Sequence, residues 1–93
     1  MSASGLPRVQ EIEARLMQTL TPSALEVIDE SAAHAGHAGA GQEGWGTHFR
    51  VRIASEVFAG KTRVACHRLV YDALHDFMDR GLHALAIEAR SQP

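Results

Sequence analysis

THFRVRIA, residues 47–54, alternates without interruption: Phe49, Val51 and Ile53 fall on one side of an extended chain, and His48, Arg50 and Arg52 on the other. A period of two is the mark of a half-buried strand, so this segment carries one dry face and one wet face. Upstream, ALEVIDE at 24–30 is β-branched and apolar enough for a second strand. Between the two lies 31–46, rich in Ala, Gly and His, where Gly36, Gly39, Gly41, Gly44 and Gly46 argue against regular structure. It reads as a long loop, and loops beyond about 12 residues in compact domains usually have a function or lack order.

Further toward the N-terminus, Val9, Ile12, Leu16 and Leu20 recur at spacings of three and four behind Pro7, which predicts a helix over 7–20. Thr21-Pro22 ends it, because the residue before proline is driven out of the α region. Downstream of the alternating strand, Gly60 marks a turn and Thr62 is placed to cap a helix over 63–79. Its apolar stripe is Leu69, Val70, Ala73, Leu74 and Phe77. LHALAIEA at 82–89 sets Leu85, Ile87 and Ala89 on one face of a third strand.

The element order is α-β-β-α-β. Strands joined without a helix pair antiparallel, whereas strands joined through one suit a parallel crossover. The expected class is α/β (α+β): one small domain over 1–93 with a three-stranded mixed sheet and helices on one face. Residues 1–6 and 91–93 are expected to be flexible tails.

Composition sets outer bounds. The chain has 93 residues, 45% of them hydrophobic and 22% charged, with a net charge of −2. There is no global attraction to nucleic acid or anionic lipid, so such binding would need a local patch. One cysteine, Cys66, excludes an intramolecular disulfide. No stretch approaches the ~20 apolar residues of a membrane span, and MSASGLPRVQEIEARL has no apolar signal region. The expected setting is cytoplasmic, away from membranes.

The six histidines are absent from the first 33 residues. His34 and His37 lie in the loop and His83 opens the third strand. In the expected topology, the loop enters the start of the second strand, and a parallel third strand begins at that same end. His83 shares parity with Leu85 and Ile87, so it is expected at the rim of the helix-covered face, partly buried but accessible. His67 sits some 12 residues before the end of the second helix, about 18 Å away, and is a poor co-ligand. His48 and His75 read as surface or structural residues. A His-x-x-His in a Gly/Ala loop is, by spacing alone, more often a solvated turn than a metal site. Asp29 and Glu30 are adjacent on a strand and face opposite sides, so they make no acid/base pair. No nucleophile-base arrangement appears, and no catalysis is expected.

The phrases LEVIDESAAH at 25–34, THFRV at 47–51, FAGK at 58–61, HRLVYDAL at 67–74 and HALAI at 83–87 together resemble the BolA family across nearly the whole chain. The resemblance implies a fold similar to class II KH domains and partnership with a monothiol glutaredoxin through a shared, bridging [2Fe-2S] cluster. It also implies, for some bacterial members, a role in transcriptional regulation. His83 falls on the family's histidine before the third strand and His34 on its variable-loop position, with His37 a further candidate ligand. A [2Fe-2S] cluster needs four ligands, and two imidazoles on one iron is a known arrangement. One cysteine cannot hold it, so a partner's thiolate and glutathione would supply the other iron. Cys66 departs from the family, which usually has Arg before HR; a thiol near a helix N-terminus is expected to be somewhat acidic and oxidisable.

Two alternatives stand beside this. Lys61, Arg63 and Arg68, with Arg50 and Arg52 exposed on the second strand, suggest a DNA-binding face, although AGKT lacks the GxxG of a nucleotide-clamping KH loop. The histidines also suit a mononuclear ion such as zinc, in the chain alone or a homodimer.

Overall fold

The computed structural model describes residues 5–34 and 45–93. Among the described residues, six regular elements run in the order α1 (Val9–Leu20), β1 (Ala24–Asp29), β2 (His48–Ala54), α2 (Arg63–Ala73), α3 (His75–Met78) and β3 (Ala84–Arg90). Two 3-10 turns, Ser31–His34 and Glu56–Phe58, join them. The sheet order is β1-β2-β3, with β1 and β2 antiparallel and β2 and β3 parallel. This is the small α+β domain with a mixed sheet that the alternating segment predicts.

Register explains the core. Val27 pairs with Val51, Phe49 with Leu85 and Val51 with Ile87, so the apolar residues of all three strands share a face. Against that face pack Ile12, Leu16 and Leu20 of α1 and Val70, Leu74 and Phe77 of the later helices, all buried in one cluster. The stripe expected of the second helix is therefore core. Thr62 caps α2, its Oγ accepting the Ala65 N–H at 3.1 Å, and Gly60 supplies the positive φ of the preceding turn.

Four of the boundary differences from the sequence reading have a visible cause. The first helix begins at Val9 rather than residue 7, because Arg8 is extended (φ −115°, ψ 157°) and its N–H donates to Glu11 Oε1. The loop expected from residue 31 opens instead with the 3-10 turn Ser31–His34. The third strand begins at Ala84, since the N–H groups of both His83 and Ala84 donate to Thr47 O.

The fourth difference is the second helix, which is two. At Leu74 (φ −107°, ψ 14°) the ladder breaks, and Phe77 N–H donates to Leu74 O rather than to Ala73 O. The Ala73 carbonyl accepts from Arg15 of α1 at 2.8 Å, and the same guanidinium grips the Asp76 carboxylate with both arms. Arg15 holds the Asp76 carboxyl down to about 2, from an ordinary 3.8. Because the folded value is depressed, this pair's stabilisation is present above about pH 4 and is lost as pH falls through about 2. Asp76 is 57% exposed, so solvent screens the pair. Arg15→Ala is expected to cost about 1 kcal/mol at neutral pH, and much less at pH 2, in urea unfolding. An equal loss at both pH values would refute the assignment.

Candidate functional site

The site is built where the 31–46 segment leaves and re-enters the sheet. Asp29, the last residue of β1, accepts from Ser31 N–H and from Gly46 N–H, both at 2.9 Å. Ser31, itself 1% exposed, accepts from Thr47 N–H at 2.9 Å and His48 N–H at 3.0 Å. Two side chains thus tie the start of the segment to its end. Thr47 O in turn accepts His83 N–H at 2.7 Å, which fastens the entry of β3 to the same point.

Leu6 packs into this junction. Gly46 has φ +84°, and a Cβ there would lie 2.7 Å from Leu6 Cβ; Gly81, at φ +111°, is closed to a side chain by Leu6 as well. Both glycines serve the close approach of the loop exit and the turn before β3. The Arg8 guanidinium lies 4.4 Å over the Trp45 ring, covering the same corner.

His83 is exposed at this rim. Its expected partial burial against the helix-covered face is corrected: its ring centroid lies 5.4 Å from that of His48, a residue whose strand neighbours of like parity, Arg50 and Arg52, occupy the open face. His83 precedes the strand, so the pleat does not dictate its side-chain direction. His34 is placed as the last residue of the 3-10 turn that starts at Ser31. His37 lies outside the described residues.

His48, expected as a surface or structural residue, is half-buried and lies at the site. Its Nδ1 lies 3.0 Å from the Thr47 hydroxyl. Asp29 and Ser31, too, are functional in the positional sense without having been singled out for it. The signal for Asp29 was its place, a carboxylate at a strand end facing a glycine-rich segment. Buried Ser31 had no signal beyond composition.

The other candidates lie elsewhere. His67 shares a cavity of about 390 Å³ with Arg63, Ile87, Glu88, Ala89 and Arg90, at the far end of β3 from His83. His75 is exposed on α3. Cys66 is 5% exposed, its thiol directed at Phe58 O and Lys61 O, so the expectation of an oxidisable thiol is corrected by burial.

Arg50 and Arg52 are not a bare basic face. Arg50 pairs with Glu30 and Glu88, and Arg52 with Glu26 and Glu88, in a ladder across all three strands. Partial desolvation works against the Glu88 carboxylate, but the two guanidiniums outweigh it and hold its carboxyl below the usual range. Lys61, Arg63 and Arg68 are exposed and form no salt bridge among the described residues.

What these elements define is a small α+β domain that gathers imidazoles at one end of its sheet while sealing its single thiol in the core. Residues 16–93 match the family model for BolA-like protein. A protein known as the uncharacterized protein in the cobS 5' region of Sinorhizobium sp is 50% identical over 80 residues, 85% of each chain. BolA-like protein 1 of Mus musculus is 41% identical over 90 residues, 97% of this chain but 62% of that longer protein. The solved BolA domain of SufE1 from Arabidopsis thaliana superposes with a TM-score of 0.79 at 46% identity, covering 89% of this chain and 90% of that one. The chain belongs to the BolA-like protein family.

Proposed function

We propose that the chain is a non-enzymatic adaptor that pairs with a monothiol glutaredoxin and co-ligates a bridging [2Fe-2S] cluster through His83 and one loop histidine, His34 or His37, in iron-sulfur maturation or iron and redox regulation. One observation carries the reading: exposed His83 is fastened by its backbone to Thr47, at the base of the histidine-bearing segment.

The donor set fits half of such a cluster. His83 is exposed at the rim and the thiol is buried, so thiolate ligands would come from the partner's cysteine and its glutathione. When bound, the cluster supplies one-electron chemistry and a transferable iron-sulfur unit. The chain's own part is to hold His83 and the loop base in register through Ser31, Asp29 and Thr47, and to leave that rim open to a second protein.

Anaerobic reconstitution tests this. The chain alone is expected to remain colourless with iron and sulfide, and the mixture with a monothiol glutaredoxin is expected to elute as a complex whose visible absorption differs from that of the glutaredoxin alone. Identical spectra with and without the chain would refute the proposal.

A second reading, a DNA-binding regulator, is favoured by exposed Lys61, Arg63 and Arg68 around the start of α2, which form no salt bridge among the described residues. Duplex binding should then fall steeply with salt, and alanine at all three positions should flatten that slope by about three counterion equivalents. Binding that is absent or insensitive to salt would sink it.

A further inference from the structure

We infer that His48 and His83 together form a bis-imidazole site for a single divalent transition-metal ion, taken by this chain without a partner. The first argument is distance. An imidazole centroid stands ~3.2 Å from an ion bound at ~2.05 Å through one ring nitrogen, so two rings on one tetrahedral ion have centroids ~5.2 Å apart. The observed separation is 5.4 Å with the ring planes at 49°.

The second argument is support. A metal-bound imidazole characteristically has its other nitrogen hydrogen-bonded to a neighbour, and the Thr47 hydroxyl stands 3.0 Å from His48 Nδ1. Thr47, 4% exposed, also anchors the second ring, since its carbonyl accepts the His83 N–H. A single buried residue therefore fixes the backbone of one ligand and a ring nitrogen of the other. Both attachments lie immediately before the paired strands, His48 pairing with Ala84 and Phe49 with Leu85 just beyond them.

Chemistry sets the class of ion. Neutral imidazoles suit zinc, copper and nickel, and not calcium or magnesium. Among the described residues no third His, Cys, Asp or Glu completes the group, so the described residues supply two protein ligands. Such a site binds less tightly than a closed structural zinc centre and exchanges its ion readily.

Calorimetric titration of the whole chain with Zn²⁺, with nitrogen-15 NMR of the histidine rings, tests the inference. One equivalent is expected to bind and to shift the ring nitrogens of both His48 and His83. His48→Ala and His83→Ala should each weaken binding about tenfold or more, and His48→Gln serves if the alanine variant is unstable. The double variant His34→Ala with His37→Ala should stay within about threefold of the parent, because the ion is assigned to His48 and His83. No binding by the parent, full affinity in the His48 variants, or a loop double variant that loses the ion would each overturn it. The measurement uses no partner. Its failure leaves the adaptor reading standing, and a glutaredoxin complex without a cluster would leave this site standing.

Discussion

His83→Ala is expected to abolish the chain's contribution to the visible spectrum of the reconstituted complex and to speed cluster loss, while leaving the domain folded. His83 is exposed and lies outside the hydrophobic cluster, so truncation removes little packing. Its backbone N–H, which makes the structural bond to Thr47, survives the change. Stability should therefore move by less than about 0.5 kcal/mol, as for ordinary surface substitutions. The iron held by histidine loses a ligand, and the spectrum should revert to that of glutaredoxin alone. Replacing His34 and His37 separately should then reproduce the loss at one position and not at the other. An unaltered spectrum with His83→Ala would sink the ligand assignment.

Ser31→Ala should do the reverse, harming the fold first. The Ser31 hydroxyl is buried and accepts two backbone N–H groups, those of Thr47 and His48. Alanine fills nearly the same space but accepts nothing, and each buried donor left unmatched costs about 1–3 kcal/mol. A total of about 2–6 kcal/mol follows if no water enters, a large fraction of the stability of a small domain. Denaturant unfolding measures it. Because both orphaned donors flank the site, the variant should also lose cluster faster with every ligand intact. A loss below about 0.5 kcal/mol would show that the hydroxyl does not organise the junction.

Much of the fold was legible because local and global signals agree. Phe49, Val51 and Ile53 alternate in the sequence, and their neighbours Leu85, Ile87 and Val27 alternate in register with them. Thr62 reads as a cap and is one. The break at Leu74 was not legible, because the group that takes the Ala73 carbonyl is Arg15, 58 residues earlier. In the site, strand connectivity brought His83 to the loop end of the sheet. Parity then misassigned its neighbour: His48 and His83 look opposed on a pleat, yet His83 stands before the strand, where its ring turns to meet His48. Arg50 and Arg52 looked basic because their glutamate partners come from two other segments of the chain, Glu26 and Glu30 around β1 and Glu88 in β3.

The tie between Asp29, Ser31 and Gly46 also bears on how this protein tolerates change. With both ends pinned together by side chains and by the Glu30 N–H to His48 O bond, the length in between is no longer coupled to the register of β1 and β2. Doubling such a segment adds only about 0.6 kcal/mol of closure entropy. In that sense the length and composition of residues 35–44 can change while β1 and β2 keep their pairing.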